Sequence, residues 1–331
     1  MNTSVMTRAG LAGAAAVVAA SLVSYPAAAG SSGASVSDDV LTVTGSGADD
    51  RIALRLAAGA AGTLEVDFGD DGTAEHSFDR STFSRIFVEL RGGNDQFRVD
   101  QVNGPFADEA LTVDGGGGDD TMNGGDGVEL FLGRGGDDAV DGNRGNDAAE
   151  LGGGDDSFRW DPGDGSDLVE GVGGTDTLDF NGAGVAENMS LSANGRRALF
   201  LRDVANIRMD MNNVEVLDLT ALGGPDRITI NDMEGTGFRV ADIDLSAPTG
   251  GPDGQADVVT VNGTANPDHI AVDVQDSRID VAGLQTETRI TGSETIDRLE
   301  INTLDGNDTV DVAAEVAALI GVVVDLGEGQ V

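Results

Sequence analysis

The chain has 331 residues, 50 of them Gly, and sets 59 Asp plus Glu against 19 basic residues, for a formal charge of −40. That charge argues against nucleic acid and anionic lipid as partners, because both present dense negative charge, and leaves divalent cations and cationic surfaces. No Cys is present, so no disulfide braces the fold, and in a secreted chain a bound metal is the obvious substitute.

Residues 1–29 read as a signal peptide. Arg8 supplies the positive start and residues 9–20, AGLAGAAAVVAA, the apolar run. Ala27-Ala28-Ala29 offers small residues for cleavage before Gly30. The run is shorter than the about 20 residues a membrane helix needs. No later segment is apolar enough, so the mature chain is expected to be secreted without a membrane span.

Residues 30–110 carry short runs rich in Val, Ile and Leu, such as LEVDF, RIFVEL and ALTV. Acidic turns precede alternating apolar residues in GADDRIAL (47–54) and RGGNDQFRV (91–99). This alternation is the pattern of half-buried strands. The segment is expected to form β-rich solenoid coils with long, irregular turns.

Residues 111–180 hold an internal repeat. From Gly115 the blocks run GGGGDDTMN, GGDGVELFL, GRGGDDAVD, GNRGNDAAE and LGGGDDSFR. Trp160 and Asp161 intervene, and PGDGSDLVE (162–170) and GVGGTDTLD (171–179) follow. The opening pair of positions carries Gly115 and Gly116, Gly124 and Gly125, then Gly133, Gly142, Gly152, Gly163 and Gly171. The fourth position is always glycine: Gly118, Gly127, Gly136, Gly145, Gly154, Gly165 and Gly174. The sixth is Asp120, Glu129, Asp138, Asp147, Asp156, Asp167 and Asp176; the eighth is Met122, Phe131, Val140, Ala149, Phe158, Val169 and Leu178.

Glycine permits the tight turn, the carboxylate is a hard oxygen donor suited to Ca²⁺, and the eighth residue makes a very short strand with one buried side chain. Two nonapeptides make one coil. Asp120, Asp138, Asp156 and Asp176 then share one edge, and Glu129, Asp147 and Asp167 the other. A disordered acidic tract would not keep an apolar residue two places after each carboxylate.

Residues 181–331 repeat the degenerate pattern in LGGPDRITI (222–230), NPDHIAVDV (266–274) and DGNDTVDV (305–312), among runs such as VEVLDL, RIDVAGL and GVVVDL. More solenoid coils are expected, with separate β-sandwiches as the alternative. Asp95, Asp226 and Asp308 are weaker calcium candidates, because each is expected to lack stacked neighbours. The only decent helical stretch after the signal peptide is 312–320, VAAEVAALI.

The nonapeptides resemble the GGxGxDxUx repeat of the hemolysin-type (RTX) calcium-binding family. Residues 160–171 and 176–182 also resemble the WDPGDGSDxVEG and DTLxFNG segments of RTX proteins from high-GC Gram-positive bacteria. The resemblance implies a right-handed parallel β-roll with Ca²⁺ between turns. Its ligands would be the glycines and sixth-position carboxylates named above. Glu129 in place of Asp, thin Ala149, and Arg134, Arg144 and Leu151 in the glycine pair depart from the pattern. Weaker sites are therefore expected around 129 and 147.

No enzyme motif is visible. His76 and His269 lie outside any HExxH, and there is no GxSxG, thiol nucleophile or phosphate-binding glycine loop. The expected function is extracellular calcium binding coupled to folding. The alternatives are a polysaccharide lyase or hydrolase on a β-helix, with Arg196, Arg197 and Arg202 near Asp203 as its best unassigned residues, or a calcium-dependent surface adhesin.

Overall fold

The computed structural model describes residues 31–327. The expected signal peptide and its expected cleavage point at Ala29-Gly30 lie outside the described residues. The fold is all-β. Among the described residues, twenty-eight strands form two sheets of fourteen.

In the array each nonapeptide supplies one strand, and successive strands alternate between the sheets. Ala110–Gly117, Glu129–Gly135, Ala148–Gly153 and Leu168–Gly173 pair in parallel in the first sheet. Thr121–Asn123, Ala139–Asp141, Ser157–Trp160 and Thr177–Asn181 do so in the second. The eighth-position residues sit in register: Met122, Val140, Phe158 and Leu178 on one side, Phe131, Ala149 and Val169 on the other. All are at most 2% exposed. Alternation thus buries one side chain per strand between the sheets, and neighbouring coils extend the core as a column. The insertion at Trp160 is absorbed inward. The indole is fully buried, stacks on Phe180 at 4.2 Å, and donates from Nε1 to the Gly165 carbonyl at 2.8 Å.

The strands of both flanks hydrogen-bond onto the ends of the array, so each sheet runs unbroken from one flank to the other. The flanking coils differ by what is inserted in them. Three antiparallel excursions lie in the sheets: Arg51–Ala57 with Ala60–Phe68 and His76–Asp79; Asn188–Asn194 with Arg197–Arg202 and Ile207–Asn212; and His269–Gln275 with Arg278–Ala282 and Glu287–Thr291. Gly33–Ser37 also pairs antiparallel with Val40–Thr44. These antiparallel pairs are additions to sheets whose remaining strands pair in parallel, as a mostly parallel solenoid requires. Hairpins form where a two-residue turn such as Asn194–Arg197 or Gln275–Arg278 returns the chain before it reaches the opposite sheet.

The helix expected at 312–320 is also corrected. Thr309–Val312 is a strand and only Ala314–Ala318 is helical, as a 3₁₀ turn. The Val316 N–H bonds to the Ala313 carbonyl and the Leu319 N–H to that of Val316, a tight pattern not sustained over many residues. The chain must rejoin the first sheet at Gly321, opposite Arg298, which leaves no room for further turns.

Candidate metal centre

Each sixth-position carboxylate precedes a strand and lies where the chain turns from one sheet into the other. All seven in the array are at most 5% exposed. They form two rows. The backbone N–H of Asp120 donates to Asp138 Oδ1, that of Asp138 to Asp156, and that of Asp156 to Asp176, at 2.7–3.1 Å. On the other edge the N–H of Glu129 donates to Asp147 and that of Asp147 to Asp167, both at 2.8 Å. In every turn but that of Glu129, one carboxylate oxygen is therefore spent on joining the coils.

The second oxygen separates the turns into two kinds. Oδ2 of Asp120, Asp138, Asp147, Asp156 and Asp176 is buried with no hydrogen-bond partner. Glu129 and Asp167 have no such atom. Burial pushes the acids up: to about 6 at Asp120, about 7 at Asp138, Asp167, Asp176 and Glu129, and about 9 at Asp147, with neighbouring carboxylates adding in the same direction at most of them. Asp156 is raised by the same cause. An unmet buried oxygen on an anion costs about 1–3 kcal/mol or more, and a bound cation or proton removes that cost.

The glycines lie against these oxygens. A Cβ on Gly115 would stand 2.6 Å from Asp120 Oδ2 and 3.0 Å from the Gly133 carbonyl, which opens the next turn on that edge. Gly133 and Gly171 are likewise caged by their own turn's carboxylate and by the carbonyls of Leu151 and Asn213. The fourth-position glycines stack, so a Cβ on Gly136, Gly154 or Gly174 would strike the carbonyl of Gly118, Gly136 or Gly154. Among these fourth positions, Gly127 and Gly165 alone are not left-handed. Leu151 fills its first position with a side chain that joins the core.

The rows extend beyond the nonapeptides. On the Asp120 edge the N–H of Asp50 donates to Asp95, that of Asp95 to Asp120, and that of Asp176 to Glu215. Between neighbours in this row the chain runs 45, 25, 18, 18, 20 and 39 residues, while the hydrogen bond stays the same. On the other edge a second run links Glu187, Asp226, Asp257 and Asp297. Asp268 and Asp308, each before a strand of the second sheet, lie on the Asp120 edge, and the N–H of Asp268 donates to Asp308. The view that Asp95, Asp226 and Asp308 lack stacked neighbours is thus corrected. Glu187, Glu215, Asp257 and Asp297 were missed because long insertions hide their spacing.

A further row was also missed. The N–H of Asp137 donates to Asp119, that of Asp155 to Asp137, and that of Thr175 to Asp155, in the opposite sense along the stack. Its signal was the acidic doublet at positions five and six.

Arginine neutralises the carboxylates where the rows meet hairpins. Glu187 pairs with buried Arg202, whose guanidinium lies 5.0 Å over the Trp160 ring. Arg80 holds Glu109 at 2.7 Å. Arg197 bridges Glu170 and Asp210. Arg197 and Arg202 are thus engaged as structural cations. His76 packs between Phe68 and Phe78, and His269 contacts Thr309 at the surface.

Among the described residues no three acidic or histidine side chains gather around one point as a metal cluster would. An ion on these edges would therefore draw on turn carbonyls as well as the orphaned carboxylate oxygens. An all-oxygen donor set of that kind fits a hard cation such as Ca²⁺.

The architecture defines a class: an all-β, repeat-built solenoid with acidic residues buried along its edges. The chain matches no model of a known protein family and no curated protein.

Proposed function

We propose that the chain is an extracellular calcium-binding repeat protein of the RTX type, whose array orders when Ca²⁺ occupies its edges. The observation that carries this reading is the set of five buried, unpartnered Oδ2 atoms, on Asp120, Asp138, Asp147, Asp156 and Asp176. Such atoms recur at one position of a repeat, so they are a property of the turn and not an accident of one loop. Neutralisation by protein is scarce, since arginine is the only strong base and there are 19 of them against 59 acids.

Bound Ca²⁺ would supply the positive charge that stacked carboxylates need. The chain's own residues do the rest. Position-six Oδ1 ties each turn to the one before, the glycines admit the close approach, and the eighth-position side chains seal the core. Sites of about 10⁻⁴–10⁻³ M, as in other extracellular modules, would stay empty in a cytoplasm and fill after export.

Far-UV circular dichroism of the mature protein, stripped of metal and titrated with CaCl₂, tests this. The expected result is a gain of β signal on addition and its loss in excess EGTA. Identical spectra in both conditions, with no calcium retained at equilibrium, would overturn the proposal.

A further inference from the structure

The turns with an orphaned oxygen share a backbone mark. Counting six residues up to the carboxylate, positions two and four are both left-handed in the turns closed by Asp120 (Gly116, Gly118), Asp138 (Arg134, Gly136), Asp147 (Asn143, Gly145), Asp156 (Gly152, Gly154) and Asp176 (Val172, Gly174). In the turn of Glu129 neither position is left-handed, and the Gly125 N–H donates to Glu129 Oε2 at 3.2 Å. The turns of Asp50, Glu187 and Asp268 behave the same way, through the N–H groups of Ser46, Ala183 and Thr264. The turn of Asp167 has Gly163 left-handed but not Gly165, and no orphan. The two left-handed residues thus mark the turns whose second-position amide is turned away from the carboxylate.

Outside the nonapeptides, Asp95 and Asp226 carry both features. Arg91 and Gly93 are left-handed before Asp95, and Leu222 and Gly224 before Asp226; both carboxylates are 1% exposed with Oδ2 unpartnered. A left-handed leucine or arginine costs about 1–2 kcal/mol. Asp95 merely lengthens the array. Asp226 stands apart from it, on the far side of the hairpin that ends the Asp167 row.

We infer that the turn Ala221–Asp226 is a separate divalent-cation site in the C-terminal flank, built on Asp226 Oδ2 and assisted by Asp253. The carboxylate of Asp253 overlies this turn, accepting from the Gly224 N–H at 3.3 Å. Glu187 and Asp257 stack on either side of Asp226. Arg202, which reaches this row, is committed to Glu187. Oxygen-only donors fit hard cations, and an irregular set of turn carbonyls and carboxylates suits Ca²⁺ better than Mg²⁺, which demands near-ideal octahedral geometry. The inference rests on the calcium reading above, but concerns a turn that the repeat does not include.

Equilibrium dialysis of the full mature chain against saturating ⁴⁵Ca²⁺ tests it with two variants. Asp226→Asn keeps Oδ1 as acceptor for the Glu187 N–H and replaces the orphaned oxygen with NH₂. It should bind one ion fewer than wild type. Leu222→Gly admits the left-handed turn without strain, leaves both carboxylates in place and should bind the wild-type number. In hydrogen exchange, calcium should protect the amides of 183–187 and 221–226 in wild type and Leu222→Gly, but not in Asp226→Asn. An unchanged ion count in Asp226→Asn overturns the inference and leaves the array reading standing. If that variant does not fold, exchange at 221–226 in wild type decides, and no calcium effect there overturns the inference. A wild-type chain that binds no calcium overturns both.

Discussion

Consecutive turns 124–129 and 133–138 read GGDGVE and GRGGDD. The first matches the glycine pair better, yet its Glu129 is satisfied by the Gly125 amide. The second carries Arg134 in the pair, holds it at φ +79, and leaves Asp138 Oδ2 with nothing. What accompanies an orphaned carboxylate oxygen is therefore the handedness of two backbone positions, which glycine permits but does not dictate. The side chain at position two points outward, as the 2.8 Å pairing of Arg134 with Asp114 shows, so non-glycine residues are tolerated there.

The largest expected effect is on all turns of the second kind together. Ionised carboxylates stacked about 5 Å apart repel by about 3 kcal/mol per neighbouring pair at an effective dielectric near 20. Removing calcium should lower amide protection across 115–179 by at least about a hundredfold, the equivalent of 2.7 kcal/mol. Protection that survives metal stripping would erase the distinction between the turns. The Glu187 turn provides the contrast, because its charge is met by Arg202 and not by an ion. Arg202→Ala leaves a carboxylate buried without its partner, and should cost about 3–5 kcal/mol by urea denaturation whether or not calcium is present. A loss seen only in EGTA would mean that Arg202 does not substitute for metal.

Much of this was legible in the residues. The nine-residue spacing placed Met122, Phe131 and Phe158 in the core, and it assigned Asp120 and Asp138 to one edge and Glu129 and Asp147 to the other, because a short strand with one inward side chain has a single register. The flanks were legible only locally. Acidic turns such as RGGND and LGGPD announced Asp95 and Asp226, but their stacking partners lie 45 and 39 residues upstream, beyond hairpins of no fixed length. Glu215 has no glycine in its turn to betray it, and Asp297 has only Gly292. Arg202 was visible in NGRRALFLRDV, yet its pairing with Glu187 depends on a hairpin register that sequence alone leaves open. Handedness at Val172 or Leu222 runs against residue preference, so only the folded chain reveals it.

A smaller, graded effect follows from the raised acids. Burial lifts Asp120 to about 6, Asp138 and Asp176 to about 7, and Asp147 to about 9, above the unfolded value near 3.9. The folded, metal-free state thus holds more protons than the unfolded one. Its stability is full below pH 4 as far as these groups are concerned, and is lost as pH rises through about 6 to 9. Melting temperatures of metal-stripped protein should fall steadily from pH 5 to pH 9. Asp147→Asn should flatten the alkaline end of that profile. Calcium should act in the opposite sense, adding most at high pH, where it no longer competes with protons. A metal-free protein that becomes more stable between pH 5 and 9 would contradict the burial of these groups.

The smallest expected effect is at Glu129, and it tests the comparison most narrowly. Glu129→Gln keeps an oxygen for the Gly125 N–H and removes a charge that, on this reading, holds no ion. The calcium count should be unchanged, and the titration midpoint should move by no more than about twofold, or 0.4 kcal/mol. Asp138→Asn makes the same chemical change one nonapeptide later. It should lose an ion and shift the midpoint by about tenfold, since affinity in oxygen-ligand sites follows the count of charged ligands. Equal responses from the two variants would mean that the carboxylates act only through the collective charge of the edge. In that case the handedness of positions two and four would have no bearing on where cations sit.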